Sequence, residues 1–158
     1  MTDPDAVRRQ IAAHLPPRVR WQIGPMTCLF DFSRCAAPLR PITADDVTGC
    51  PIEDAWTALD LFGEQVFADG GGASPLLGVD RQTGEIFGVD VEREPPQMFL
   101  LNSSAHRFLQ TFRLFDEALR LGTRSPYEVV AAAREIDPAA FERSEWRSLC
   151  EYLSERDG

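Results

Sequence analysis

The chain contains no lysine: all sixteen of its basic residues are arginine. That bias reads as the coding preference of a GC-rich genome and carries no chemistry of its own. Cysteine is sparse as well. Cys28, Cys35, Cys50 and Cys150 never fall as Cys-x-x-Cys, so the commonest zinc and dithiol motifs are excluded. A domain of 158 residues does not need disulfide staples, and four reduced thiols in a cytoplasmic protein are expected. With only His14 and His106, and no Asp-x-Asp-x-Asp loop to converge oxygens on a hard cation, no metal and no cofactor are expected. Long apolar runs are missing too. The longest, Val129 to Ala133, is far short of the roughly 18 residues a membrane span requires, and the acidic Met1-Thr2-Asp3-Pro4-Asp5 start has no apolar stretch of the kind a secretory signal carries.

What is present fits a globular chain: 44% hydrophobic and 26% charged residues are enough to build a core and too little charge to stay disordered. A single domain over residues 1–158 buries roughly 68–70% of its unfolded surface, so no second domain is required. The charge is unevenly spread. From Asp45 to Glu94 there are twelve acidic residues against Arg81 and Arg93, a balance of −10, whereas the remainder stands at +1 within a net −9. A nucleic-acid binder needs the opposite sign on its working face, so direct nucleic-acid binding is not expected.

The hydrophobic period assigns the elements. Asp3 and Pro4 open a helix with Val7, Ile11 and Leu15 on one stripe, stopped by Pro16-Pro17. Arg18 to Ile23 and Thr27 to Phe32 read as extended segments, and 37–51 as irregular chain. Ile52, Ala55, Trp56 and Leu59 are spaced as one or two helical turns, and Leu61 to Ala68 is extended as far as the glycine turn Gly70-Gly71-Gly72. Leu76 to Val79 and Glu85 to Val91, separated by Asp80-Arg81-Gln82-Thr83-Gly84, form a hairpin in which Gly84 supplies the positive φ. Met98 to Leu101 reads as a short buried strand. A long helix follows with Phe108, Phe112, Phe115 and Leu119 inward, ended by Gly122. Ser125-Pro126-Tyr127-Glu128 opens another helix to about Ile136, Asp137 caps a short turn holding Phe141, and Trp146, Leu149, Cys150 and Leu153 mark a last helix. The expectation is an α+β domain: a central, mostly antiparallel or mixed sheet with helices at both chain ends.

The hairpin Leu76-Leu77-Gly78-Val79-Asp80 … Thr83-Gly84-Glu85-Ile86-Phe87-Gly88-Val89-Asp90, followed by Phe99-Leu100-Leu101-Asn102-Ser103-Ser104 and the phenylalanine helix, resembles the SUKH superfamily, most closely its fourth bacterial immunity-protein group. The resemblance runs from Leu61 to Leu121 and extends to the Asp137-Pro138 … Trp146 segment. It implies an α+β fold and a non-enzymatic protein that binds and neutralises a toxin domain.

Motifs that would carry catalysis fail on geometry. The three glycines lack Gly-Lys-Ser/Thr and precede a strand rather than a helix, so they make a turn and not a phosphate loop. Ser104 and His106 stand two apart on a helix and do not face each other, so Ser103 and Ser104 read as caps, with Asn102 tying the strand end. Asp80 and Asp90 bracket the hairpin as a possible carboxylate pair, or more simply as part of an acidic rim. No catalytic residue is assigned and no enzymatic activity is expected. Candidate partner-binding residues are Trp56, either core or an interface anchor, and the carboxylates Asp80, Glu85, Asp90, Glu92 and Glu94. These would occlude the basic cleft of a cognate toxin domain, a nuclease or nucleic-acid deaminase, by electrostatic mimicry. The alternative is a small-molecule-binding or scaffold protein of the same fold.

Overall fold

A computed structural model describes residues 3–23, 26–47, 52–67, 73–90, 97–122 and 125–141. Helix α1 (Pro4–His14) starts where Asp3 accepts a hydrogen bond from the Asp5 backbone N–H, with Pro4 in the first turn where a missing N–H costs nothing. Seven antiparallel strands follow: β1 (Arg18–Ile23), β2 (Met26–Asp31), β3 (Arg40–Pro41), β4 (Leu59–Phe67), β5 (Ala73–Asp80), β6 (Ile86–Asp90) and β7 (Gln97–Asn102). They lie in the order β1-β2-β4-β5-β6-β7, with the two-residue β3 pairing the start of β4. Helices α2 (Ala105–Leu121), α3 (Pro126–Ile136) and the single turn α4 (Pro138–Phe141) complete the α+β domain.

Both faces of the sheet are covered, by different means. On one face α1, α2 and α3 bury an aromatic cluster in which Phe112 lies 4.7 Å from Trp21, 5.0 Å from Phe30 and 5.6 Å from Phe32. On the other, Ile42, Val47 and Trp56 from the largely non-repetitive chain between β3 and β4 pack on Leu59, Leu61, Leu76 and Val89. Only short 3₁₀ turns, Ala44–Val47 and Asp54–Ala58, interrupt that chain among the described residues. The segment with helical spacing from Ile52 to Leu59 is thus a 3₁₀ turn whose last residue already starts β4. Of the four residues that carry the spacing only Trp56 and Leu59 are buried, Ile52 is half-buried and Ala55 is exposed, so the segment has no continuous apolar stripe to hold an α-helix against the sheet.

The hairpin forms as its glycine demands, with Gly84 at φ 79°. Gly88, in β6, has a different reason to be glycine: a Cβ there would stand 2.4 Å from the Phe99 ring, which lies over the backbone from the neighbouring strand. That strand, β7, is an outer strand and only half-buried over Met98 to Leu100 rather than enclosed. Ser104 caps α2 by accepting from the Arg107 backbone N–H, and Gly122 ends it at φ 62°. Ser125 caps α3 through the Glu128 N–H.

Asp137 was expected to cap the turn α4 with its side chain. Its backbone carbonyl does so instead, accepting from Ala140 and Phe141 at 3.2 and 3.0 Å. The carboxylate turns inward, 2% exposed, and accepts from Ser103 N–H at 2.7 Å, Ser103 Oγ at 3.0 Å, Asn102 Nδ2 at 3.1 Å and Arg107 Nη1 at 3.4 Å. Asn102 also donates to Thr111 Oγ1. One buried carboxylate therefore joins the end of β7, the first turns of α2 and the α3–α4 junction. Gly24-Pro25, the triple glycine, Cys50, and the last helix with Trp146, Leu149, Cys150 and Leu153 lie outside the described residues.

Candidate functional site

The acidic hairpin is built as a braced corner. Asp80 Oδ1 accepts from the backbone N–H of Gln82 at 2.8 Å and of Thr83 at 3.2 Å, so this carboxylate closes its own loop. Glu85 N–H donates to Thr83 Oγ1, and Asp80 N–H to the Glu85 carbonyl. Arg81 then ties the loop to the neighbouring strand and turn. Its Nη2 and Nε reach the two oxygens of Asp60 at 2.9 and 3.3 Å, its Nη1 the Thr57 carbonyl at 2.9 Å, and its N–H the Ala58 carbonyl at 3.1 Å. A two-point arginine–carboxylate pair with one partner 5% exposed holds geometry far better than a surface ion pair. The turn Asp54–Ala58 and the loop 81–85 therefore form one rigid end of the sheet.

Tertiary packing redistributes the acidic middle of the sequence. Asp60 is neutralised by Arg81. Asp46, whose side chain is 4% exposed, accepts from Arg34 Nη2 at 2.9 Å, from Thr43 N–H at 2.7 Å and from Thr43 Oγ1 at 2.9 Å, with Arg40 at 3.8 Å. Burial works against its charge, but the Thr43 N–H, the Arg34 guanidinium and the Thr43 hydroxyl outweigh it and hold the carboxyl below the usual carboxylate range. Both guanidiniums come from outside the Asp45–Glu94 window, so the balance of −10 along the chain overstates the field in space.

The sequence-proposed residues do not all converge. Trp56 is fully buried at the centre of the second core cluster, so it is a core residue and is removed as an interface anchor. Asp80 and Asp90 sit at opposite ends of the hairpin: Asp80 faces Leu59 at the loop end, while Asp90 pairs with Gln97 at the far end of β6. Five strand residues at about 3.3 Å each separate them, so they form no carboxylate pair. Glu85 is at the braced corner; Glu92 and Glu94 lie outside the described residues. Sequence reasoning passed over Glu53 and Asp54, both exposed, which begin the turn that Arg81 clamps to the hairpin loop. Their place in the acidic stretch was visible; the tie between their turn and the hairpin loop was not, because it depends on the Arg81 contacts with Thr57, Ala58 and Asp60.

The buried thiols are chemically quiet. Burial pushes Cys28 and Cys35 up to about 11, so neither is a thiolate near neutral pH. Among the described residues no three His, Cys, Asp or Glu side chains gather as a metal site, and no helix is long and apolar enough to cross a membrane. In comparisons with known proteins the chain matches no family model, no curated protein and no solved structure.

Proposed function

We propose that this chain is an immunity protein, of the SUKH kind that its hairpin and phenylalanine helix resemble, which binds a toxin domain and occludes its active site. The observation that supports the reading is the braced acidic corner: Glu53, Asp54 and Glu85 on two loops that Arg81 locks together. Carboxylates carried on a braced backbone lose no loop entropy on docking and steer a basic partner, which suits the cleft of a toxin that must hold phosphates. Acting by occlusion, the protein needs no catalytic group of its own.

The test is association kinetics against the toxin domain encoded beside this gene, at low and moderate salt. The triple variant Glu53→Gln, Asp54→Asn, Glu85→Gln should slow association by about tenfold at low salt and flatten its salt dependence, with the melting temperature unchanged. An unchanged rate and an unchanged salt slope would remove this corner from the interface. No binding by the unaltered protein would remove the immunity reading itself.

A further inference from the structure

A groove of about 430 Å³ opens at the other end of the sheet, between the end of α1, strand β1 and helix α2. Its sign is opposite to that of the hairpin corner. His14, Arg18, Arg20, Arg113 and Arg120 line it, with Asp116 and Glu117 as its carboxylates. Asp116 is already committed: it accepts from Trp21 Nε1 at 3.0 Å and pairs with Arg120 Nη2 at 2.8 Å. Arg18 stands across from Asp31 in the strand register. The side chains of Arg20 and Arg113 are exposed and make no hydrogen bond or ion pair among the described residues. A protein of net charge −9 thus carries a local excess of positive charge in its groove.

The shape of the groove says what kind of anion fits. Its wall includes Arg18, Val19 and Arg20 in succession. Neighbouring residues of a strand point to opposite faces, so a groove that touches all three follows the edge of the strand rather than one face. β1 is an outer strand, with β2 its one strand neighbour among the described residues. Such an edge offers backbone groups to an added strand. An extended chain laid there would meet Arg113 of α2 beside the apolar floor of Leu15, Val19 and Phe112 on one side, and Arg18 and Arg20, beside the 37% exposed Leu29, on the other, so acidic side chains find an arginine on either face.

We propose that this groove is a docking site for an acidic, extended segment of a partner polypeptide, which adds a strand to β1 with its carboxylates on Arg20 and Arg113. The two charged ends of the sheet then serve two separate contacts, and this one does not depend on the toxin reading. A duplex or single-stranded nucleic acid is disfavoured because Glu117 stands in the groove and the surrounding charge is negative.

The probe is a synthetic peptide of alternating glutamate and valine, with an alternating lysine–valine peptide and inorganic pyrophosphate as comparisons, titrated into the full chain and followed by amide chemical shifts and hydrogen exchange. The acidic peptide should shift the amides of Arg18 to Arg20 and Arg113 and slow exchange along β1. Arg20→Glu with Arg113→Glu should weaken binding at least about tenfold, the scale of one lost charge-assisted hydrogen bond. The neutral pair Arg20→Gln with Arg113→Gln serves if the first variant does not fold. The corner variant Glu53→Gln, Asp54→Asn should bind the peptide as before. No shift at millimolar peptide, equal binding of the lysine peptide, or insensitivity to the arginine substitutions would overturn the proposal. So would pyrophosphate giving the same shifts at the same affinity, which would mark a small-anion site. Concentration-dependent dimerisation in sedimentation that the arginine substitutions abolish would make the occupant a second copy of this chain, and would also overturn it.

Discussion

The helical face of the sheet buries a large cluster rich in aromatic rings, the opposite face a smaller, mostly aliphatic one around Trp56, and the two are closed in different ways. On the helical face, α1, α2 and α3 each bring a stripe of apolar residues, and Phe108, Phe112 and Phe115 fall at the spacing that puts them on one side of one helix. On the opposite face the cover is mostly irregular, and what holds it is polar: Asp46 gathers Arg34, Arg40 and Thr43, and Arg81 ties Asp60 to the Asp54–Ala58 turn. A helix satisfies its own backbone and needs only a greasy side. Irregular chain must find partners for its polar groups elsewhere, and here buried carboxylates supply them. The two tryptophans among the described residues follow the same division. Trp21, under the helices, donates its indole N–H to Asp116 at 3.0 Å, whereas Trp56, under the irregular cover, is fully buried with its Nε1 unpartnered among the described residues.

The comparison is broken most severely on the helical face. Phe112→Ala should cost about 3–5 kcal/mol, because it removes a ring packed against Trp21, Phe30 and Phe32. Denaturant unfolding measures this, and a loss below about 0.5 kcal/mol would mean that the aromatic cluster is not what closes that face. The same face carries the Asp137 junction, where alanine takes one of its acceptors from the buried Asn102 amide, which keeps Thr111, and removes the acceptor of the Ser103 N–H.

A matched pair of substitutions sharpens the contrast between faces. Tryptophan to phenylalanine removes similar ring volume at either site, but Trp21→Phe also takes the indole donor from Asp116, which keeps Arg120, while Trp56→Phe deletes an N–H that has no partner among the described residues. Trp21→Phe should therefore be the more destabilising by about 1 kcal/mol or more. Equal losses in thermal unfolding would show that the Trp56 N–H is satisfied after all.

On the irregular face the test is pH. Asp46 has a folded pKa below its ordinary value, so its contribution is fully present above the unfolded carboxylate pKa, near 3.8, and is lost as pH falls through the lower, folded value. Asp46→Asn should lower stability by about 1–3 kcal/mol at neutral pH and by progressively less below pH 4, so that the two unfolding curves converge in acid. Parallel curves down to pH 2 would mean that the carboxylate contributes no charge-dependent stability to the irregular cover.

How far the sequence foretold this follows from the kind of interaction involved. The α+β class, the hairpin with Gly84, the caps at Asp3, Ser104 and Ser125, and the inward phenylalanines of α2 were all readable, because each depends on residues within about four positions of one another. What stayed open in the sequence lies where contact is distant along the chain. Ile52 to Leu59 carried a helical spacing but adopts a 3₁₀ turn and the first residue of a strand. Trp56 was left undecided between core and surface because its partners Ile42, Leu61 and Val89 come from separate strands and loops. Asp80 and Asp90 bracket the hairpin in sequence either as a carboxylate pair or as part of an acidic rim, and the length of the hairpin, which places them at its opposite ends, leaves the rim.

The candidate site shows the division most clearly. The accumulation of carboxylates between Asp45 and Glu94 is a property of the sequence. Which of them face solvent is not, since charge along a chain is cancelled by arginines folded in from elsewhere: Arg34 and Arg40 on Asp46, Arg81 on Asp60. The basic groove had no sequence signal at all, because His14, Arg18, Arg20, Arg113 and Arg120 are scattered over two helices and a strand and average out with nearby acids. Local sequence determined the elements, through backbone preference and apolar period. Only the tertiary structure decided the surface, because a Coulomb interaction depends on distance through space and on burial, and neither is ordered along the chain.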